Sequence, residues 1–192
     1  LKLKYIGPLS RMQKKETPKQ YDLMILLSGP EPQRGLLEER LKNEVKNYVG
    51  EVVFIKGIIE KNQKKEQIDH VTYYNFMNTR QLEQTFNESD VVLCRSGYTT
   101  IMDLVQLEKK AFFIPTPSQY EQEYLAKKIK SNGWITYKTQ EKFKIQNLQG
   151  LDLYKGLPKW KNNPDWKQIF KVFEKPKTFP LFSNHKKTEL SL

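Results

Sequence analysis

Apolar residues in this chain come in short unbroken runs, with polar stretches of helical period between them. Leu23-Met24-Ile25-Leu26-Leu27, Val52-Val53-Phe54-Ile55, Val91-Val92-Leu93-Cys94 and Ala111-Phe112-Phe113-Ile114 are such runs. A strand with one wet face alternates apolar and polar residues. A continuous run is buried on both faces, as in a parallel sheet covered by helices. Strands are therefore expected over Tyr21 to Ser28, Glu51 to Ile59, His70 to Met77, Val91 to Cys94 and Ala111 to Ile114, with a weaker one over Trp134 to Tyr137. Leu37, Leu41 and Val45 recur at four-residue spacing and predict a helix over about 34–48, with Glu38 four before Lys42. Asn78 or Thr79 is placed to cap a helix through Phe86. Further helices are expected after Gly97 and over about 119–131, the latter stopped by Asn132-Gly133. A last one is expected over 164–173, with Trp166, Ile169, Phe170 and Phe173 on one face. The lysine-rich 60–66 stretch reads as a loop or an exposed helix end, and 141–163 shows no clear pattern.

Strand and helix alternate about six times. That predicts an α/β, Rossmann-like parallel sheet of about six strands flanked by helices. Gly7-Pro8 and the polar run after it make residues 1–20 an expected interdomain linker. Residues 21–176 form the expected domain. Residues 177–192 are a polar tail, expected to be disordered apart from a Phe179-Pro180-Leu181-Phe182 patch.

Charge and cysteine usage narrow the picture. Thirty-three Lys and Arg against 22 Asp and Glu leave a net charge of +11 over 192 residues. This suits a polyanionic partner, an anionic membrane surface among them, or else a lysine-rich solvated surface, since the lysines are scattered along the chain. The aromatics fall in strand and helix cores, without the basic interleaving of a nucleic-acid surface, so no nucleic-acid partner is expected. A single cysteine, Cys94, rules out a disulfide framework and a zinc cluster and suits a reducing, cytoplasmic setting. No apolar run approaches the roughly 20 residues of a membrane span. The start, Leu1-Lys2-Leu3-Lys4-Tyr5, has neither initiator Met nor signal peptide and reads as the middle of a longer chain.

In a parallel sheet, ligands bind at the carboxyl ends of the strands. Three irregular turns fall there. The first is Arg95-Ser96-Gly97-Tyr98-Thr99-Thr100, opening a helix with Asp103 one turn in. Gly97 allows a sharp turn and a close ligand approach, and the helix aims free N–H groups at whatever sits above. Thr99, Thr100 and Asp103 share a face, so hydroxyls and N–H groups suit a diphosphate and the carboxylate suits a vicinal diol. Capping by Ser96 or Thr99, with Asp103 solvated, is the other reading. The second turn, Ser28-Gly29-Pro30-Glu31-Pro32, with Arg34 behind it, lacks G-x-G-x-x-G and the P-loop lysine. It is an ordinary turn or a weak phosphate site. The third, Pro115 to Tyr120, leads into Gln122 and Glu123, which are either sugar contacts or polar helix-start residues. His70 and His185 stand near no nucleophile motif, and no metal-ligand spacing occurs, so neither cofactor nor metal is expected.

The order Ser-Asp-x(5)-Arg-Ser-Gly-x-x-Thr-x-x-Asp, then Ile-Pro-x(6)-Glu-Gln-Glu-Tyr-x-Ala, over Ser89 to Ala126 resembles the carboxyl-terminal half of MurG-like glycosyltransferases, which have the two-domain GT-B fold. Tyr5-Ile6-Gly7-Pro8-Leu9 looks like the entry to that half, and the resemblance covers most of residues 5–137. It implies that this half binds a nucleotide-sugar donor, with UDP as the expected nucleotide, and that an amino-terminal domain holds the acceptor and the catalytic base. Ser96, Gly97 and Thr100 would hold the diphosphate; Arg95, Thr99, Ser28, Gly29 and Arg34 are further donor-binding candidates read from the turns themselves, Ser28 to Pro32 standing where the family has a glycine-rich loop. Asp103 stands at the ribose-binding acidic position, where glutamate is usual. Phe76 and Met77 fall where the base is gripped, partly by backbone groups. Gln122 matches a donor-sugar contact, and Glu123 stands where the peptidoglycan enzyme has glutamine. The implied chemistry is metal-independent, inverting transfer of an N-acetylglucosamine-like sugar. The alternatives are half of a nucleotide-sugar 2-epimerase, or a non-catalytic basic subunit that docks on an anionic membrane or a partner chain.

Overall fold

Each unbroken apolar run becomes a strand buried on both faces. The computed structural model describes residues 6–159 and 166–171. Its strands are β1 (Tyr21–Leu26), β2 (Val52–Ile55), β3 (Lys65–Ile68), β4 (Val71–Tyr74), β5 (Ser89–Cys94), β6 (Lys110–Phe113) and β7 (Thr136–Tyr137). They form one sheet in the order β3-β4-β2-β1-β5-β6-β7. Pairing is parallel throughout, except that β3 runs antiparallel to β4 at the edge. The expected parallel α/β sheet is thus present with one strand more. The extra strand begins within the 60–66 stretch expected to be a loop or helix end and runs two residues past it. All four side chains of β3 are exposed, so nothing but backbone pairing marks it as a strand.

The helices are α1 (Gln33–Glu44), continued by a 3-10 turn over Val45–Asn47, then α2 (Thr79–Glu88), α3 (Tyr98–Leu107), α4 (Tyr120–Ser131) and the short α5 (Trp166–Phe170). Successive strand residues point to opposite faces, and the two cores follow that alternation. Leu23, Ile25, Val52 and Phe54 pack with Leu37, Leu41 and Val45 of the α1 region, and with Phe143, Ile145, Leu148 and Leu151. Met24, Val53, Val92 and Phe113 pack with Phe86 of α2, Leu104 and Leu107 of α3 and Ile129 of α4. Leu37 and Leu41 are almost fully buried, and each contributes ~2 kcal/mol by removing its side chain from water. The stretch over 141–163, without pattern in the sequence, contains a 3-10 helix over Ile145–Leu153. Its apolar residues close the first core, and Phe143 meets Phe112 edge-on at 5.4 Å.

Local signals account for several boundaries. Asn78, not Thr79, caps α2: its Oδ1 accepts from Gln81 N–H at 2.9 Å, while Gln81 Oε1 accepts from Asn78 N–H at 3.0 Å. That reciprocal pair satisfies two otherwise orphaned donors. Gly133, at φ +69°, follows the end of α4, as Asn132-Gly133 predicts. The segment read as a linker runs from Gly7 to Gln20 against α2 and α3. Met12 is buried in the second core, Lys15 N–H donates to Asn87 Oδ1, and Asn87 Nδ2 donates to Gln13 O.

The chain divides into two compact units, Gly7–Lys161 and a second made of Leu1–Ile6 with Asn162–Leu192. Within the second, the described structure is α5, which carries Ile169 half-buried. Pro164, Phe173 and the 177–192 tail lie outside the described residues.

Candidate functional site

The strand order reverses at β1, which has β2 on one side and β5 on the other. A crevice opens at such a switch, beyond the carboxyl ends of the two strands. The turn after β1 carries Ser28 and Gly29, both exposed. Gly29 has φ +108°, and a side chain added there would point to within 3.9 Å of Thr116 Oγ1, in the turn after β6. The turn after β5 touches both neighbours through Arg95 and Ser96. The three turns expected to converge do so.

The start of α3 is the open part of this crevice. Gly97 is the N-cap residue and offers no side-chain cap, and neither Ser96 nor Thr99 supplies one. The first N–H groups of α3, on Tyr98, Thr99 and Thr100, therefore point outward with the positive end of the helix dipole. Gly97 has φ −72° and ψ 145°, a conformation open to any residue, so the expectation that glycine serves a sharp turn is corrected. A Cβ built there meets only Thr100 Oγ1, at 4.0 Å. Nothing in the fold demands glycine. What its absent side chain leaves is room.

Arg95 and Ser96 lie beneath this opening instead of lining it. Arg95 is 1% exposed. Its Nη1 donates to Ile114 O and Pro115 O at 3.1 and 3.0 Å, and its Nη2 to Gln33 O and Gln140 Oε1 at 2.9 and 2.8 Å. The expectation that this guanidinium contacts a ligand is corrected: it ties the start of α1, the turn after β6 and the turn after β7 into one frame. No carboxylate among the described residues pairs with it, and burial lowers its pKa to about 10. Ser96 is fully buried and its hydroxyl donates to Gln122 O at 2.8 Å. Its side chain is likewise structural.

Asp103 is half-buried one turn into α3. Burial raises its pKa, against the Ser10 hydroxyl and the Arg11 charge, which lower it. Ser10 Oγ donates to Asp103 Oδ1 at 2.6 Å and accepts from Met12 N–H at 3.0 Å. Leu9, Ser10, Arg11, Thr99 and Asp103 line a groove of about 550 Å³. Ser10 and Arg11 come from the segment read as a linker, where sequence alone marks no site.

The third turn is held by its own side chains. Gln122 is buried, and its Oε1 accepts from Thr116 N–H at 2.9 Å. Glu123 Oε1 accepts from Ser118 N–H at 3.1 Å, where Ser118 adopts φ +64°. Both residues first stabilise the turn. Thr116 Oγ1, facing Gly29, is buried without a hydrogen-bond partner among the described residues.

Two other candidates stand apart from the opening. Arg34 is buried on α1, bonded to Glu31, to Glu38 Oε2 at 2.6 Å and to Lys56 O at 3.0 Å. Glu31 Oε2 also accepts from Gly35 N–H at 3.0 Å. The start of α1 thus carries its own carboxylate, and the expectation of a phosphate contact by Arg34 is corrected. At the end of β4, Phe76 N–H donates to Asn75 Oδ1 at 3.0 Å and Phe76 O accepts from Gln63 Nε2 at 2.7 Å. The backbone groups expected to grip a base at Phe76 are thus engaged within the chain, and Met77 packs against the second core. Asn75, which sequence reasoning missed, also bonds Lys64 N–H, Glu60 and Asn62 O and fixes that loop.

At the opposite, amino end of β5, Lys19 Nζ and Lys109 Nζ both donate to Asn87 O and Ser89 O. Burial and the neighbouring Lys19 lower the Lys109 pKa to about 7, against the attraction of Asp90. Cys94 is fully buried and its thiol pKa is pushed up by desolvation. Among the described residues no three His, Cys, Asp or Glu side chains converge, and no helix is long and apolar enough to cross a membrane.

Residues 30–166 match the glycosyltransferase family 28 C-terminal domain. The UDP-N-acetylglucosamine–N-acetylmuramyl-(pentapeptide) pyrophosphoryl-undecaprenol N-acetylglucosamine transferase of Haemophilus ducreyi is 25% identical over 150 residues, which cover 74% of this chain and 41% of the relative. Two solved structures share the fold. MurG of Acinetobacter baumannii aligns with TM-score 0.51 at 16% identity, over 73% of this chain and 44% of that one. The glycosyltransferase SnogD of Streptomyces nogalater aligns with TM-score 0.51 at 13% identity, over 79% and 37%. The chain thus spans less than half the length of each.

Proposed function

The chain belongs to the glycosyltransferase family 28 C-terminal domain family, and from that premise we propose that it is the donor-binding part of a metal-independent, inverting glycosyltransferase that takes its sugar from UDP. One observation carries the reading: α3 opens at the β1/β5 switch point with no side chain capping it and with Gly97 leaving space over its first N–H groups. In this reading the diphosphate sits on those N–H groups, with the Thr100 and Thr99 hydroxyls beside it. Arg95, buried below without a carboxylate among the described residues, keeps the local potential positive. As the sugar leaves, charge grows on the diphosphate, and preorganised N–H groups and the helix dipole stabilise it. Asp103, one turn along the same face, accepts from the ribose hydroxyls.

The sugar in this reading is N-acetylglucosamine-like, by similarity to the Haemophilus relative's named substrate. The acceptor and the catalytic base are assigned to an amino-terminal domain of the full protein, so this chain binds donor without turnover. The setting is cytoplasmic, and the net charge of +11 favours peripheral contact with an anionic membrane. Calorimetric titration with UDP, beside ADP, GDP and CDP, tests the reading. Saturable UDP binding that weakens at least tenfold in Asp103→Ala is expected. No saturable binding, or binding indifferent to that substitution, refutes it.

A further inference from the structure

The segment before β1 borders the crevice through Leu9, Ser10 and Arg11, and Ser10 makes a polar contact there. Asp103 sits in a half-buried place where desolvation disfavours its charge. A carboxylate that must accept from a ligand there needs a fixed direction and help in staying ionised. Ser10 supplies both. Its hydroxyl donates to Asp103 Oδ1 at 2.6 Å, while Met12 N–H, donating to Ser10 Oγ at 3.0 Å, fixes the hydroxyl from behind. The relay is held in register by Met12 in the second core and by the Gln13, Lys15 and Asn87 bonds to α2. Oδ1 is occupied by Ser10, whereas no partner of Oδ2 occurs among the described residues, and Asp103 borders the groove shared with Thr99. The charged group that acts on Asp103 across these elements is Arg11, which favours ionisation.

We infer that Ser10 is a positioning residue for nucleotide binding: it orients the Asp103 carboxylate and holds it ionised, so that the free oxygen meets the ribose hydroxyls. This rests on the reading of Asp103 as the ribose acceptor. It adds that recognition of the sugar ring is set jointly by α3 and by the segment that enters the domain. A shift of that segment would then alter the discrimination between ribose and its deoxy forms without touching the diphosphate site.

The test is the ratio of affinities for UDP and its 2′,3′-dideoxy analogue, measured on the 192-residue chain from pH 8 down to pH values that bracket the Asp103 titration. The ratio cancels the ionisation of the phosphates, common to both ligands. In the parent chain it falls as pH drops through the raised Asp103 pKa, because a protonated carboxyl accepts less well. In Ser10→Ala it is expected to fall roughly three- to tenfold at neutral pH, with its midpoint about one pH unit higher. Ser10→Thr, which keeps the hydroxyl, is expected to restore both. A parent-like ratio and midpoint in Ser10→Ala, with Asp103→Ala still impaired, overturns the inference and leaves the ribose reading standing. A parent ratio near one, or no UDP binding at all, overturns both.

Discussion

Substituting Gly97 by alanine separates what the fold requires from what a ligand requires. The backbone there, φ −72° and ψ 145°, accepts alanine without strain, and the new Cβ meets only Thr100 Oγ1 at 4.0 Å, an ordinary contact. Two small terms act on stability. Alanine lowers the entropy of the unfolded chain, stabilising by ~0.4–1 kcal/mol. It is also a poorer N-cap than glycine, by ~0.5–1 kcal/mol, because its methyl shields the free N–H groups from water. The two offset each other within ~0.5 kcal/mol, so the melting temperature should stay within ~2 °C in a chain of this size. Binding has no such compensation. A methyl over the first turn of α3 holds a diphosphate away from the N–H groups and weakens one charge-assisted bond or more, each worth ~1.5–3 kcal/mol. UDP affinity should fall roughly 10- to 100-fold. Differential scanning calorimetry and titration calorimetry on the same preparation read both quantities. Unchanged stability with unchanged affinity would refute the placing of the diphosphate over Gly97. A loss of more than ~2 kcal/mol in stability would refute the open space itself.

Arg95→Met keeps the bulk but leaves three backbone carbonyls and Gln140 without their donor. A loss of ~2–4 kcal/mol is expected, a urea midpoint lower by ~1–2 M, with Gln140→Ala costing ~1 kcal/mol. A midpoint within ~0.3 M of the parent would show that the guanidinium is no tie. Lys109, with its pKa lowered to about 7, makes stability depend on pH in a definite direction. Between about pH 7 and the ordinary lysine value near 10.5 the unfolded chain holds a proton that the folded one has released, so stability rises with pH there. Lys109→Met removes this dependence. The side chain is half-exposed, so solvent screening leaves ~1 kcal/mol of the difference between pH 6 and pH 9, readable as a flatter plot of urea midpoint against pH. An unchanged slope would refute the assignment.

The sheet was legible because its strands bury both faces and so write continuous apolar runs. β3 was not, since an edge strand with four exposed side chains carries no apolar mark. The crevice was legible from the placing of Ser28-Gly29, Ser96-Gly97 and Pro115 at strand ends. The duties of single side chains there were harder to read. Arg34, Arg95, Ser96 and Gln122 are polar residues at the right places, but a donor aimed at a ligand and one aimed at a backbone carbonyl look alike in sequence. Ser10 was missed for the opposite reason. It sits in a polar stretch with no periodicity, and only the path of that stretch along α3 brings it to Asp103.

The bonds Arg95 makes differ in what they ask of their partners. Three go to main-chain oxygens, of Gln33, Ile114 and Pro115, and one to the side chain of Gln140. A main-chain oxygen is present whatever residue carries it. The anchorage of the turns after β1 and β6 therefore places almost no demand on their amino-acid identities, only on their backbone paths. Such turns can drift in sequence generation after generation while their geometry stays put. The turn from Ser28 to Pro32, whose far side Arg95 holds through Gln33 O, can thus vary, Gly29 apart, without remaking the domain.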